Sequence, residues 1–240
     1  MAQKKVNAVI HSQEKLAEGI YSMWLDAPEM AEAAVPGQFI AVYTNDQSKL
    51  LPRPISICEA DKENGRLRIV YRIAGAGTKE FSAYKEGDTL DIMGPLGNGF
   101  PLKKKKAFLI GGGIGIPPML ELAKNLDCEK TAVIGYRDKE TFLADELRKY
   151  ADVVIATEDG SVGTKGNVID AIRAEKLTAD IIYACGPTPM LKALKAYAME
   201  NGIECYISLE EKMACGIGAC LGCVCHSKDI DEHSNVRNKR

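Results

Sequence analysis

Three thiols near the end of the chain, Cys215, Cys220 and Cys223 in the run ACGIGACLGC, stand with four and then two residues between them. That C-x4-C-x2-C spacing is the one by which a plant-type two-iron, two-sulfur (2Fe-2S) cluster is held: thiolates bind iron, and glycines let backbone N–H groups reach the cluster sulfurs. A chain so equipped carries electrons. The same thiols could take zinc, with His226 completing a tetrahedral Cys3His set, although structural zinc sites more often pair two short arms across a longer insert. Disulfides are the weakest reading. All eight cysteines would need an oxidising compartment, yet the opening residues MAQKKVNAVIHSQEK carry charge without the apolar core of a signal peptide. The expected compartment is the reducing cytoplasm.

A cluster of this type needs a fourth ligand. Cys225, with one residue between it and Cys223, is too close to reach the second iron easily. The polar run KDIDEHSNVRNKR at the end reads as the middle of a loop, as in a truncated chain. The fourth ligand is therefore expected at Cys225 or beyond Arg240.

A second group of residues suits nucleotides. Gly111-Gly112-Gly113-Ile114-Gly115-Ile116-Pro117-Pro118 follows an apolar run, AFLIGG, and opens a helical pattern. Glycines there allow a tight turn and close approach of backbone to a pyrophosphate, and a helix N-terminus offers free N–H groups with a positive dipole. The run ends in proline, unlike the usual G-x-G-x-x-G, and proline at the first helical position is also ordinary structure. Cys185-Gly186-Pro187 ends a second apolar run, DIIYA, which puts Cys185 at the carboxyl edge of a sheet, where open α/β sheets bind ligands. Alone, Cys185 reads as a buried structural thiol. Paired with the glycine turn, it is expected to line a nicotinamide.

Arg53-Pro54-Ile55-Ser56 and Tyr71-Arg72, the latter followed by Gly75-Ala76-Gly77-Thr78, form a third set. The planar guanidinium of arginine pairs two phosphate oxygens at once. A serine hydroxyl can donate to a ring nitrogen, and Gly77-Thr78 at the start of a short helix, KEFSAY, would add backbone donors. Each segment alone is commonly an ordinary strand or turn.

The elements that must carry these residues divide in two. From Lys4 to about Gly94 the short runs VNAVI, GIYSMWL, QFIAVY, ISI, LRIVYRI and TLDIM are separated by turn residues, which predicts a small antiparallel barrel. Beyond GPLGNGF and Lys103 to Lys106, read as a solvated turn, the pattern changes. AFLIGG, TAVIGY, DVVIAT and DIIYACG predict buried parallel strands, and ELAKNL, FLADELRKY, NVIDAIRAEK and MLKALKAYAME predict helices between them. The predicted class is β followed by α/β: an N-terminal antiparallel β-barrel over residues 1–100, a doubly wound parallel sheet over 101–211, and a C-terminal metal-binding segment over 212–240. With 240 residues and 46% apolar content the chain can bury a core. A formal net charge of −2 argues against nucleic acid as a partner. No stretch reaches the roughly 20 apolar residues of a membrane span.

Taken in order, RPIS, the Tyr71-Arg72 strand, GAGT, GPLGNGF, GGGIGIPP, CGPTPM and MACGIGACLGC resemble the electron-transfer subunits of NAD-dependent dihydroorotate dehydrogenases, a branch of the ferredoxin reductase-like flavoproteins. The resemblance spans nearly the whole chain. It implies a barrel binding FAD through Arg53, Pro54, Ile55, Ser56, Val70, Tyr71, Arg72, Gly77 and Thr78. It further implies a domain binding NAD(H) through Gly112, Gly113, Gly115, Cys185, Gly186 and Pro187, and a 2Fe-2S cluster on Cys215, Cys220 and Cys223. The implied partner is an FMN-binding dihydroorotate dehydrogenase catalytic subunit of pyrimidine biosynthesis, in a heterotetramer of two of each. The family's fourth cysteine, after a polar insert, has no counterpart in this sequence.

The implied chemistry joins a two-electron donor to one-electron carriers: NADH gives hydride to FAD between the domains, and electrons leave singly through the cluster. Glu158 and Asp159 after DVVIAT favour NADH, because an acid can bond a ribose diol and repels a 2'-phosphate. Arg137 after AVIGY argues the other way. Glu210 and Glu211 read as a solvated pair that would otherwise face the flavin. Two rivals remain: a reductase subunit serving ferredoxin, sulfide or hydrogenase partners, and a zinc-binding, nucleotide-sensing interaction module.

Overall fold

The structure, a computed structural model, describes residues 4–46, 48–211, 213–220 and 222–223, and the backbone of 225–226 and 238–239. Six antiparallel strands close into a barrel: β1 (Lys4–Ala17), β2 (Ile20–Asp26), β3 (Phe39–Val42), β4 (Arg53–Asp61), β5 (Arg66–Arg72) and β6 (Thr89–Leu96), in the order β1-β2-β5-β4-β3-β6. Alternation of apolar and polar residues along these strands sends Ile10, Met23, Leu25, Ile40, Ile57, Leu67, Ile69, Leu90 and Ile92 into the barrel. Helix α1 (Pro28–Ala33), absent from the sequence reading, starts on Pro28, whose fixed φ suits a first helical turn. A short helix α2 (Ala76–Phe81) follows β5 and plugs one end of the barrel with Phe81.

The second unit is a parallel sheet. Its strands are β7 (Ala107–Gly112), β8 (Lys130–Tyr136), β9 (Asp152–Thr157), β10 (Thr164–Lys165), β11 (Ile181–Cys185) and β12 (Glu204–Ser208). The spatial order is β10-β9-β8-β7-β11-β12, so strand order reverses between β7 and β11. Helices α3 (Pro117–Asn125), α4 (Ala144–Leu147), α5 (Val168–Ala174) and α6 (Thr188–Asn201) connect the strands. Two of these features correct the sequence reading. FLADELRKY forms only the four-residue α4, because Leu143 takes a left-handed φ of 64° and the Phe142 carbonyl accepts a hydrogen bond from Tyr136 Oη at 2.6 Å. ECYIS, which the reading passed over, adds the edge strand β12.

Barrel and sheet share one apolar cluster, in which Cys58 and Val70 of the barrel pack with Ile116, Met119 and Leu120 of the sheet unit. Polar contacts reinforce it. Arg68 on β5 is buried and donates from Nε to Ser22 Oγ at 2.9 Å, while both of its terminal nitrogens hold Glu146 of α4, Nη2 at 3.1 Å from Oε1. Glu121 on α3 accepts the Ala60 backbone N–H at 2.9 Å, beside an irregularity in the β4–β5 register.

Burial pushes the Glu121 carboxyl up from its ordinary 4.5, against the weaker downward pull of the Ala60 amide, Lys124 and Asn125. A raised carboxyl favours the folded state most fully below the unfolded pKa, and that contribution declines as pH rises through the higher folded value. Glu121→Gln removes this slope. Melting both proteins at pH 4, 5.5 and 7 is expected to show the variant gaining on the parent as pH rises. Parallel curves would contradict the burial argument.

Candidate functional site

The reversal between β7 and β11 opens a crevice at the carboxyl edge of the sheet, the usual ligand position in such folds. The sequence-predicted nucleotide residues meet there. Cys185 pairs with Gly111 across the ladder, and a Cβ on Gly112 would fall 3.0 Å from Pro187 Cδ and 2.7 Å from Met190 Sδ. Gly113–Gly115 form a single 3-10 turn leading into α3. Gly115 is pressed so closely on the β11 turn that a Cβ would lie 2.3 Å from the Cys185 carbonyl oxygen. Gly113, with φ 53°, faces open space. Bare backbone is therefore presented at the crevice, which is what approach to a pyrophosphate requires. The Cys185 thiol is buried and pushed up to about 12, by burial and the charge of Glu210, with Ser208 opposing. It is a neutral wall and not a nucleophile.

The barrel contributes a second opening. Among the described residues the β4–β5 ladder runs from Asp61–Arg66 to Ile57–Ile69 and ends there. Arg53–Ser56 stay paired to β3 and Val70–Arg72 to β2, so two strand ends part and leave a cleft between them. The predicted flavin residues lie along it, with different duties. Ile55 and Tyr71 point into the barrel core. Tyr71 Oη donates to Gln13 Oε1 at 2.7 Å, which leaves only its backbone for the cleft. Val70 belongs to the apolar cluster between the units. Pro54 and Arg72 are exposed, and Arg53 and Ser56 half-buried. Thr78 Oγ1 accepts the Ala74 and Gly75 amides at 2.9 and 3.2 Å, so its hydroxyl shapes the turn before α2.

Gly77 is the position where a side chain is excluded. A Cβ there would lie 2.1 Å from Arg53 Nε and 2.4 Å from its Cζ. The guanidinium thus rests on the first turn of α2, with one nitrogen donating to the Leu51 carbonyl. Gly77→Ala forces a flexible side chain, not backbone, to move. The expected result is a loss of about tenfold or more in FAD affinity, the weight of one charge-assisted contact, with the melting temperature nearly unchanged. Flavin titration of the full chain checks this, and unchanged affinity would count against Arg53 as a flavin ligand.

The cysteine loop lies against this part of the barrel. A Cβ on Gly216 would come within 3.3 Å of Leu96 Cδ1 and 3.9 Å of Ala41 Cβ, and Ala41 pairs with Pro54. Positive φ at Gly216 and Gly218, 70° and 76°, turns the loop so that the Cys220 amide donates to Cys215 Sγ at 3.4 Å. That amide, those of Ile217 and Ala219 and the Cys220 thiol bring Cys215 down to about 6. Among the described residues no three metal-binding side chains are gathered into one group. The described part of the loop is a curled thiol-and-amide segment. The side chains of Cys225 and His226 lie outside the described residues.

The acids after β9 are differently placed. Asp159 accepts the Ser161 amide at 2.9 Å, and bonds to Ser161 hold its carboxyl below the usual range. Its turn-forming role leaves the exposed Glu158 as the freer of the two predicted acids. Sequence reasoning missed Glu80, Arg68 and Glu121, since none lies in a motif and each acts across units or loops distant in sequence.

Residues 7–100 match the family model described as an oxidoreductase FAD-binding domain, and residues 210–239 match the iron-sulfur cluster binding domain of dihydroorotate dehydrogenase B. A dihydroorotate dehydrogenase B (NAD(+)) electron transfer subunit from Streptococcus mutans is 45% identical over 242 residues, covering 97% of this chain and 93% of the relative. The corresponding subunit from a Geobacillus strain is 44% identical over 234 residues, covering 94% and 90%. Among solved structures, a chain of the NADH-dependent reduced ferredoxin-NADP oxidoreductase superposes with a TM-score of 0.84 at 32% identity, covering 90% of this chain and 81% of that one. A ferredoxin NADP+ reductase from Neisseria gonorrhoeae, with a TM-score of 0.70, 17% identity and coverage of 86% and 99%, shares the fold. With this barrel, this switch-point crevice and this cysteine loop in one chain, and with these relatives, the protein belongs to the family of dihydroorotate dehydrogenase B (NAD(+)) electron transfer subunits.

Proposed function

We propose that this chain moves electrons between NAD(H) and a separate, FMN-bearing dihydroorotate dehydrogenase subunit of pyrimidine biosynthesis. In this reading residues 1–100 hold FAD, 101–211 hold NAD(H) and 212–240 hold a 2Fe-2S cluster, and two copies of each subunit work together in the cytoplasm. When bound, the flavin exchanges electron pairs with a nicotinamide and the cluster carries electrons singly. The protein's own part is to hold and orient. Arg53 would neutralise a pyrophosphate and Ser56 would donate to the flavin ring. Bare backbone at Gly112, Gly113, Gly115 and Gly186, with Pro187 and the neutral Cys185 as walls, would seat the nucleotide. Cys215, Cys220 and Cys223 would ligate iron. No helix among the described residues is long and apolar enough to cross a membrane.

The observation that carries the reading is the packing of the cysteine loop onto β3 and β6, beside the strand end that bears Arg53. It brings the cysteine-bearing loop beside the cleft where a flavin ring would lie. The donor chemistry fits both groups: soft thiolates with amide N–H groups around sulfur for the cluster, and a guanidinium with unpaired strand ends for the flavin. The test is an anaerobic visible spectrum of the purified chain before and after NADH. A yellow-brown protein whose visible flavin band bleaches with NADH is expected, and co-purification of an FMN-containing partner. Cys220→Ser is expected to remove the iron-sulfur absorbance and leave the flavin. A colourless, zinc-containing protein would end the reading. The 32% identity to the ferredoxin-NADP oxidoreductase chain favours a ferredoxin-type partner as the second reading, which a co-purifying ferredoxin in place of the FMN protein would support.

A further inference from the structure

Glu80 stands outside every motif, yet it joins the two segments, the β3–β4 loop and α2, that meet at Arg53. It lies on α2, three residues beyond Gly77. Its carboxylate accepts the Asn45 backbone N–H at 2.7 Å, the Asp46 N–H at 3.3 Å and the Tyr84 hydroxyl at 2.6 Å, and it pairs with Lys49 Nζ at 2.8 Å. Asn45, Asp46 and Lys49 belong to the loop between β3 and β4, the loop that delivers Arg53. Lys49 also pairs with Asp46 at 2.9 Å, and Thr44 Oγ1 donates toward the Lys49 and Asp46 carbonyls at 3.3 Å, so the loop is closed on itself as well as on Glu80. Glu80 and Lys49 are mostly covered, with side chains 18% and 22% exposed, which sets this pair apart from a solvated surface bridge.

Arg53 bridges the same two segments. One guanidinium nitrogen donates to Leu51 of the loop, and the head rests on Gly77 of α2. Its direction is set by how far the loop sits from the helix, and that spacing is held by the carboxylate of Glu80. We propose that Glu80 is a positioning residue for the flavin pyrophosphate: it locks the β3–β4 loop onto α2 so that Arg53 is aimed before the nucleotide arrives. This rests on the reading of Arg53 as a flavin ligand. The lowered pKa of Glu80, in which the Lys49, Tyr84 and backbone bonds outweigh its burial, agrees with a carboxylate that stays charged there.

A pre-aimed arginine avoids the ordering cost that a loose one would meet on binding. The pyrophosphate arm alone should feel the change, because Glu80 touches nothing along the strand ends that would hold the ring. Glu80→Ala, Arg53→Ala and the double variant are made in the full chain, stripped of flavin and titrated with FAD and with riboflavin, which lacks the pyrophosphate. Glu80→Ala is expected to weaken FAD by about tenfold while riboflavin affinity stays within about twofold. In the Arg53→Ala background the Glu80 substitution is expected to cost less than about twofold more, since its effect passes through the arginine. If Glu80→Ala does not fold, Glu80→Gln, which keeps one acceptor oxygen for the Asn45, Asp46 and Tyr84 bonds and loses the ion pair with Lys49, takes its place in the same cycle, with a smaller FAD-selective loss expected. Equal losses for FAD and riboflavin, or full additivity with Arg53→Ala, would overturn the proposal and leave the flavin site standing. An Arg53→Ala protein that binds FAD as well as the parent would instead remove the reading beneath it.

Discussion

Gly115→Ala is expected to separate the glycine turn from the end of β11 and to lower both stability and nucleotide affinity. The three atoms nearest the new Cβ are all backbone: the Cys185 carbonyl oxygen at 2.3 Å, its carbon at 2.4 Å and the Gly186 nitrogen at 2.6 Å. No rotamer change relieves such a contact. The two turns must part, and overpacking against unyielding neighbours costs about 3 kcal/mol at the upper end of the usual range. For a chain of this size that is a fall of roughly 6–12 °C in melting temperature. Because the same two turns form the walls of the crevice, NADH affinity is expected to drop by at least about tenfold. Gly87→Ala is the comparison. It has a positive φ of 86° and nothing within 4 Å, so only the left-handed backbone penalises it, by about 1–2 kcal/mol, and NADH binding should be unaffected. A Gly115→Ala protein that melts with the parent and binds NADH equally would show that the turns are not packed as described.

Replacing Arg68 is expected to be the most destabilising single change between the units. Its guanidinium is buried, held by Ser22 and Glu146, and lies 3.6 Å from Glu59, which in turn binds Lys124 at 2.6 Å. Arg68→Met keeps an apolar stem but leaves Glu146 and Glu59 facing an interior site without that cation. Breaking one side of a fully buried ion pair costs about 3–5 kcal/mol, most of it the penalty of the stranded charge; with the Glu146 side chain 35% exposed, water takes up part of that penalty and the loss falls below this range. The pair itself is a different matter, since two matched apolar residues can replace a buried pair at little net cost. The double variant Arg68→Met, Glu146→Leu should therefore recover a large part of the loss. Urea unfolding of the parent, both single variants and the double variant checks this. A strictly additive cycle would mean that the contact between β5 and α4 contributes nothing of its own.

Much of this site could be read from the chain because its signals are local. The C-x4-C-x2-C spacing, the glycine turn after an apolar strand and Cys185-Gly186-Pro187 are each written within about a dozen residues, and the change from short alternating runs to buried runs with helices between them is the sum of such local runs. Each reflects a backbone requirement that only certain residue types satisfy. Gly77 was legible as a helix-opening glycine. That its missing side chain makes room for Arg53, 24 positions earlier, was not.

What the sequence by itself determined is the pair of folding units, their order and the residue types offered to nucleotide, flavin and metal, since periodicity and turn chemistry act over neighbouring residues. Only the tertiary structure decided which of those side chains are free. It turned Tyr71 and Ile55 into the barrel core, committed Thr78 to a turn and Asp159 to Ser161, cut the FLADELRKY helix short at Leu143, and ended the β4–β5 ladder at Ile57–Ile69 to open a cleft. It also placed Glu80, Arg68 and Glu121 at the joints between segments. The reason is physical: a hydrogen bond or a steric exclusion between residues 24 to 78 positions apart leaves no periodic trace along the chain, and exists only once both segments have been packed against each other.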